Sequence, residues 1–156
     1  METGGLVIGR RVNLEGRLFL IAVQLTGPGQ QAIRQPNSFA PDTAFAQQEL
    51  ERVRQEYAGR AITVDYIGEW HKHPTNYPAP SEGDVKQART ILQDPSYSLE
   101  WGEIVLPIAT VGREGQLELK PYYFSRLHPK PVLIDLLVWE REGIEALLEE
   151  TTSSSR

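Results

Sequence analysis

Two histidines separated by a single residue, His71 and His73, are the side chains of this sequence best suited to chemistry. Alternate side chains of an extended strand point to the same face, so the two imidazoles can bind one metal ion. Asp84 is a candidate third ligand, because residues 81–84 (Ser-Glu-Gly-Asp) have the pattern of a helix start and place this carboxylate in the first turn. Three protein ligands leave a fourth position open for water, as in catalytic rather than structural zinc sites. The spacing therefore predicts a hydrolytic zinc site.

Each of these residues also has a purely structural interpretation. A surface strand can carry two histidines that bind nothing. Ser81 suits a helix N-cap, and Asp84 suits a capping-box acid that complements the helix dipole. Background residue usage rarely supplies both a Ser and an Asp at these fixed offsets from a histidine pair, which favours the metal site. The cap and ligand roles are compatible, so both can hold at once.

Hydrolysis of an amide also needs a general base that takes a proton from the attacking water and passes it to the departing amine. Two glutamates are candidates: Glu2, at the head of the segment ETGGLVIG, and Glu69, on the strand of the two histidines. Glu69 is expected to share their strand face, so its alternative role is to orient His71, or it is a solvated edge residue. The alternative for Glu2 is a solvated chain terminus. The sequence leaves these assignments open.

Composition limits the class of protein. With 156 residues and 40% hydrophobic content, the chain is long enough for one domain with a sizeable core. We expect that domain to cover residues 1–150 and the polar tail 151–156 to be disordered. The chain has no cysteine, so disulfides and thiolate ligands are excluded, and any metal must be held by histidine and carboxylate.

Charge and hydropathy indicate location and partners. The N-terminal sequence lacks the basic-then-apolar order of a signal peptide, and no apolar run is long enough to cross a membrane, so we expect a cytoplasmic protein. A net charge of −5 argues against sequence-independent nucleic-acid binding, which requires basic residues to neutralise phosphates. A protein or peptide partner is the better expectation.

Strand-like and helix-like segments alternate along the chain, which predicts an α+β or α/β fold with helices around a central mixed sheet. The predicted strands are residues 5–9, 17–25, 62–73, 103–111 and 116–124. The predicted helices are residues 42–57, capped by Asp42, and 81–93. The Gly- and Pro-rich residues 27–41 are expected to form a loop with a short extended piece near Phe39. Residues 132–150 fit either a strand followed by a helix or one long helix, which periodicity cannot decide.

Two segments carry a family resemblance. ETGGLVIG (residues 2–9) and GEWHKHPTNYPAPSEGD (residues 68–84) resemble the JAB/MPN metalloproteases that carry the JAMM motif. That motif is an upstream Glu, then His-x-His, seven residues, Ser, two residues and Asp. The resemblance covers roughly residues 2–124 and implies a cytidine-deaminase-like JAB/MPN sandwich.

Carried over residue by residue, the resemblance implies that His71, His73 and Asp84 bind Zn²⁺. It implies that Glu2 is the catalytic acid/base and that Ser81 helps stabilise the tetrahedral oxyanion. Members of the family usually have a helix before this glutamate, whereas here Glu2 follows only Met1. The first residues of a chain are ordered only when other elements hold them, so we expect either that the sheet holds Glu2 or that the true start of the protein lies upstream.

The activity that the resemblance implies is hydrolysis of the amide after the C-terminal glycine of ubiquitin-like proteins, including isopeptide bonds. The phrase GEWHKHP and the single-domain layout are most similar to bacterial JAB peptidases. Those accompany E1- and E2-like enzymes in antiphage CBASS and related conjugation operons. The alternatives are a catalytically silent MPN-type scaffold that binds protein partners and a peptidase that processes a sulfur-carrier protein.

Overall fold

The computed structural model of the protein describes residues 1–128 and 130–154. Eight strands and three α-helices are arranged along the chain as follows: β1 (Thr3–Leu14), β2 (Arg17–Leu25), β3 (Ile33–Gln35), β4 (Ser38–Ala40), α1 (Thr43–Ala58), β5 (Asp65–Lys72), α2 (Glu82–Gln93), β6 (Glu103–Val111), β7 (Leu117–Ser125), β8 (Val132–Leu133) and α3 (Arg141–Ser154). A short 3-10 helix, Pro95–Tyr97, follows α2. Within these described ranges, no helix is both long and apolar enough to span a bilayer.

Six strands form one mixed sheet in the order β2-β1-β5-β6-β7-β8. β5 and β6 run parallel, and all other neighbours in the sheet run antiparallel. A parallel pair needs a crossover connection, and α2 lies on that connection. β3 and β4 pair separately as a short hairpin. The predicted fold, helices around a central mixed sheet, is confirmed.

The core joins the sheet to all three helices. α1 packs against β1 and β5, α2 against β6 and β7, and α3 against β2. The most deeply buried side chains come from the sheet (Ile8, Ile108 and Phe124), from α1 (Val53) and from α3 (Leu148). Because α2 is fixed on the sheet by Ala88, Ile91 and Leu92, its first turn is held beside the end of β5.

The predicted helix and strand positions agree with the structure. Asp42 caps α1, since its carboxylate accepts a hydrogen bond from the Phe45 N–H, and Gly59 ends the helix. β1 is longer than the predicted strand 5–9, because its pairing with β2 extends to Leu14. The predicted extended piece near Phe39 is β4, and its partner β3 was not predicted.

The C-terminal prediction was partly wrong. Residues 132–150 form a two-residue strand, an irregular stretch and a helix, as in the first alternative. The expected disordered tail begins too early, because α3 continues through residue 154. The Thr151 hydroxyl donates to the carbonyl oxygens of Leu147 and Leu148, and Thr152 accepts a hydrogen bond from Arg10 on β1. The Thr151 bonds stabilise the last turn of α3, and the Arg10–Thr152 bond joins that turn to the sheet. Residues 155–156 lie outside the described part of the chain.

Candidate metal centre

The two histidines lie where β5 ends beside its parallel neighbour β6. His71 is within β5, and the N–H of His73 donates to the Ala109 carbonyl at 3.1 Å, which extends the pairing one residue beyond the strand. Both imidazoles are buried, with 5% and 6% of each residue exposed. Both also contact Asp84, so they lie on one face as the spacing predicted.

Asp84 is fixed by the capping box that begins α2. The Ser81 hydroxyl oxygen accepts from the Asp84 N–H at 3.1 Å, while the Ser81 N–H donates to Asp84 Oδ2 at 2.7 Å. The Ser81 hydroxyl also lies 2.8 Å from the same Oδ2 and donates to it. Asp84 is therefore both capping acid and histidine partner, and the helix start determines where its carboxylate points.

Both histidines contact this carboxylate directly. Asp84 Oδ1 lies 2.8 Å from His71 Nδ1, and Oδ2 lies 3.1 Å from His73 Nε2. Burial alone would lower the pKa of His71, but its hydrogen bond to Asp84 and the nearby Glu69 carboxylate outweigh burial and raise that pKa to about 9. Burial would raise the pKa of Asp84, yet hydrogen bonds from His71 and Ser81 hold it well below its usual range. A metal bound at His71 Nδ1 would replace the proton that this nitrogen donates to Asp84 Oδ1 at 2.8 Å.

His73 is held between two acceptor oxygens. Its Nδ1 lies 2.9 Å from the Tyr77 carbonyl oxygen, which can only accept, so Nδ1 donates a proton there. Its Nε2 lies 3.1 Å from Asp84 Oδ2, another acceptor, which already receives two hydrogen bonds from Ser81. Either a second ring proton or a cation must therefore lie between Nε2 and Oδ2. A ring N–H bound to a backbone carbonyl is also the usual outer contact of a metal-bound histidine.

The three side chains fit zinc in donor chemistry, since histidine nitrogens and a carboxylate oxygen are typical zinc ligands. In this structure they bind each other directly, because His71 lies 2.8 Å from Asp84 Oδ1 and His73 lies 3.1 Å from Asp84 Oδ2. In the described ranges, no three His, Cys, Asp or Glu side chains are already spread around an ion position. Zinc binding would therefore require His71, His73 and Asp84 to exchange these mutual contacts for bonds to the metal.

Glu69 lies beside His71, where it can orient the ring. Its Oε2 is 3.7 Å from His71 Nε2 and accepts a hydrogen bond from Gln87 of α2 at 3.0 Å. Its Oε1 accepts from the Tyr66 hydroxyl at 3.4 Å. Only 12% of the Glu69 side chain is exposed. A carboxylate enclosed in this way matches the orienting role better than that of a general base that must reach water and substrate.

Glu2 has the anchor that its position requires. Its N–H donates to the Gln35 carbonyl of β3 at 3.1 Å. The next residues are paired with β5, Thr3 with Lys72 and Gly4 with His71. Continuing this register by one residue places Glu2 opposite His73, and residues opposite each other on antiparallel strands point to the same face. The backbone thus brings Glu2 to the histidine face.

The hairpin β3–β4 closes over this end of β1, which sequence reasoning did not foresee. The Phe39 ring lies edge-on to the His71 ring, with centroids 6.1 Å apart. A Cβ on Gly4 would lie 2.3 Å from the Trp70 carbonyl oxygen and 3.2 Å from the Phe39 ring, so only glycine fits there. Gln87 and the Tyr77 carbonyl were also missed, because nothing in their local sequence marks a contact made through folding.

The geometry defines a His-His-Asp centre at the junction of a strand and a helix start, with a glutamate nearby on the same face. Residues 1–119 match the family described as prokaryotic homologues of the JAB domain. Since the match covers most of the chain, the protein belongs to this family, and the predicted JAB/MPN membership is confirmed.

The chain is similar to two named proteins. It is 36% identical over 96 residues to the probable metalloprotease y4qB of Sinorhizobium fredii, a match that covers 61% of this chain and 55% of that protein. It is 32% identical over 85 residues to the CD-NTase/cGAS isopeptidase of Escherichia coli, covering 54% and 50% of the two chains. The chain thus spans about half the length of the curated relatives it matches.

One solved structure supports the fold. The protein DSY2949 of Desulfitobacterium hafniense aligns with a TM-score of 0.53 over 89% of this chain and 79% of that chain. The two sequences are 17% identical, so this likeness concerns the fold alone.

Proposed function

We propose that the protein is a zinc-dependent peptidase or isopeptidase that cleaves the amide after the C-terminal glycine of a ubiquitin-like protein. The observation that carries the metal assignment is the His73 ring, whose Nε2 faces Asp84 while its other nitrogen is bound to the Tyr77 carbonyl. Family membership and the relatives named metalloprotease and isopeptidase support the hydrolytic assignment.

His71, His73 and Asp84 are the proposed zinc ligands. When bound, the ion would supply Lewis acidity toward the scissile carbonyl and the attacking water. The protein's contribution is orientation. The Tyr77 carbonyl sets the His73 tautomer, Glu69 lies against the far nitrogen of His71, and the capping box aims Asp84.

Glu2 is the proposed general base and acid. Its backbone N–H is bound to the Gln35 carbonyl of β3, and the β1–β5 register, continued by one residue beyond Thr3 and Lys72, would bring it opposite His73. In this role its carboxylate takes a proton from the attacking water and delivers it to the departing amine. Glu69 is less suited to the same work, because its oxygens already accept hydrogen bonds from Gln87 and Tyr66.

Ser81 is proposed to stabilise the oxyanion. Its backbone and the Asp84 N–H keep the residue at the first turn of α2, and the residue is exposed at its surface. Its hydroxyl proton now points to Asp84 Oδ2. If a metal takes that carboxylate oxygen, the proton can be donated to the substrate oxygen, where charge develops in the transition state.

The proposed substrate class rests on the relative whose name is CD-NTase/cGAS isopeptidase. We infer from it a ubiquitin-like conjugate as partner, with E1- and E2-like enzymes in the same pathway and antiphage conjugation as its setting. The net charge of −5 agrees with a protein rather than a nucleic-acid partner.

Metal analysis of the purified protein tests the proposal. We expect one equivalent of zinc, lost in His73→Ala. The matched control is His128→Ala, since His128 is the third histidine and is exposed away from the centre. Protein that takes up no zinc, or a His128→Ala variant that loses as much as His73→Ala, contradicts the assignment.

Substrate class is tested by a cleavage assay. A ubiquitin-like protein ending in glycine is offered once as a linear fusion and once joined to a lysine side chain. Cleavage of both after the glycine supports the proposal, and cleavage of the linear fusion alone indicates precursor processing. A zinc-loaded protein that cuts neither, yet still binds the ubiquitin-like protein, points instead to the silent scaffold.

A further inference from the structure

An apolar stretch at the edge of the sheet, here called the edge segment (residues 131–139), is exposed to solvent. It contains β8 and the irregular residues that lead to α3. Its most exposed member, Val138, keeps 84% of its surface accessible, and Leu137 keeps 63%. The exposed apolar side chains of the segment are Val132, Leu133, Leu136, Leu137, Val138 and Trp139.

The edge segment is bound to the sheet on one side only. β8 pairs with β7 through Tyr122 with Leu133 and Tyr123 with Val132, and the Ile134 N–H donates to the Pro121 carbonyl. β8 is the last strand of the sheet, so its other side has no neighbouring strand among the described residues. Natural sheets protect such edges with charges, prolines or covering elements. In the edge segment only Pro131 and Asp135 are of these types, and the other side chains are apolar.

The exposed area is large enough for a stable interface. The six side chains together leave several hundred Å² accessible, at or above the roughly 300–600 Å² of the largest apolar patch on a typical monomer. This approaches the about 800 Å² that each partner buries in a standard interface. A surface of this kind normally has a partner.

Charge around the edge segment identifies a second copy of the chain as that partner. Lys130 precedes the segment, Glu140, Arg141 and Glu142 follow it with a net charge of about −1, and Asp135 is the only charge inside it. If two copies pair antiparallel about a two-fold axis near residue 135, Lys130 of one copy approaches Glu140 of the other, and apolar side chains meet apolar side chains. One surface is thus complementary to itself, as a symmetric dimer requires.

We propose that the protein forms a symmetric homodimer through the edge segment, with the edge segments of the two copies running antiparallel, so that β8 of one copy lies opposite residues 137–138 of its partner. The segment lies after residue 119, beyond the part of the chain that matches the JAB family. It is also three strands from β5 in the sheet order, so the dimer leaves the metal centre accessible. The proposal does not depend on zinc or on hydrolysis.

Sedimentation equilibrium of the whole chain tests the proposal. We expect a dimer at about 10 µM protein, within the range found for interfaces of this size. Leu137→Glu should weaken dimerisation by at least about 30-fold, because it places a charge in the apolar contact. Leu117→Glu is the matched control, since Leu117 is 69% exposed at the far end of β7.

Either of two results overturns the proposal. One is a wild-type protein that stays monomeric at about 100 µM, because dimerisation would then be weaker than expected for an interface of this area. The other is that Leu137→Glu and Leu117→Glu weaken dimerisation equally, which would indicate nonspecific association. Circular dichroism of both variants verifies that the fold is kept.

Charge exchange tests the antiparallel arrangement. Lys130→Glu and Glu140→Lys should each weaken the dimer by roughly 3- to 10-fold, and the double variant should recover most of the loss. Asp135→Asn should tighten it, because two Asp135 carboxylates then no longer meet near the axis. A double variant weaker than both single variants overturns this arrangement.

Discussion

The metal centre and the edge segment differ in the polarity of their side chains and in how far those side chains are exposed. At the centre, His71, His73 and Asp84 are charged or polar and almost fully buried, and contacts of 2.8 and 3.1 Å join Asp84 to the two histidines. In the edge segment, Leu137 and Val138 are apolar and mostly exposed. Each arrangement costs free energy in an isolated chain. At the metal centre, polar groups lose their hydration on burial, and in the edge segment, apolar groups stay exposed to water.

The difference shows that the two regions suit different kinds of partner. The centre is organised by the chain itself, through a strand end, a capping box and the Tyr77 carbonyl, and its imidazole and carboxylate groups are typical ligands of a metal ion. The edge segment is held by β7 on one side and exposes apolar side chains on the other. Exposed apolar surface of this kind suits a macromolecular partner.

The largest effect is expected from Glu2→Gln. The amide cannot accept the proton from the attacking water, so we predict a loss of cleavage of about 10²- to 10⁴-fold. Zinc content should stay at one equivalent, because Glu2 is not a proposed ligand. A Glu2→Gln variant that cleaves at the wild-type rate would move the base to another residue, with Glu69→Gln as the next variant to assay.

A smaller loss of affinity is expected from Glu69→Gln. Removing the carboxylate beside His71 Nε2 frees the ring to change orientation, so we predict zinc binding weaker by about 10- to 100-fold. Competition with a chelator measures this loss without reference to activity. Glu82→Gln is the control, since Glu82 is an exposed acid in the first turn of α2. If Glu69→Gln and the wild type bind zinc with equal affinity, Glu69 does not orient His71 for the metal and contributes only to packing.

Asp84→Ala should destabilise the metal-free protein. It removes the capping box of α2 and the partner of two buried imidazoles, which we expect to cost about 2–4 kcal/mol of the free energy of unfolding. Urea denaturation in the presence of a chelator measures the change. Asp94→Ala removes another capping aspartate, at the exposed 3-10 helix, and should cost clearly less. Similar losses from the two variants would mean that the histidine contacts contribute nothing to stability.

The smallest effect is expected from Leu137→Glu on the stability of the monomer. Its side chain is mostly exposed, so the free energy of unfolding should change by less than about 0.5 kcal/mol at dilutions where the wild type is monomeric. Thermal and urea unfolding at low protein concentration measure it. A large decrease in the free energy of unfolding would show that Leu137 packs within its own chain. The edge segment would then not be an exposed surface that differs from the buried metal centre.

Much of the centre was predictable from sequence because its geometry is local. Alternation along a strand places His71 and His73 together, and a capping box sets Asp84 relative to Ser81. What brings β5 to α2 was implied only by the family resemblance. Gln87, Phe39 and the Tyr77 carbonyl were missed, because their contacts depend on how separate elements pack.

The C-terminal region was less predictable for a physical reason. An apolar run such as residues 132–139 is compatible with a buried strand or a buried helix, and its pattern assumes that burial occurs within the chain. Here the run is mostly exposed, so its structure is not set by the core. Disorder was expected after residue 150, whereas α3 continues there: the Thr151 hydroxyl donates within the helix, and Thr152 accepts a hydrogen bond from Arg10 of β1.

Anomalous diffraction at the zinc absorption edge, on crystals of the protein grown with zinc, tests the central claim most directly. We predict one strong peak bound by His71, His73 and Asp84, with the His71–Asp84 hydrogen bond replaced by bonds to the metal. The contradictory result is a crystal with excess zinc in which that hydrogen bond is intact and the ion is absent from the three side chains.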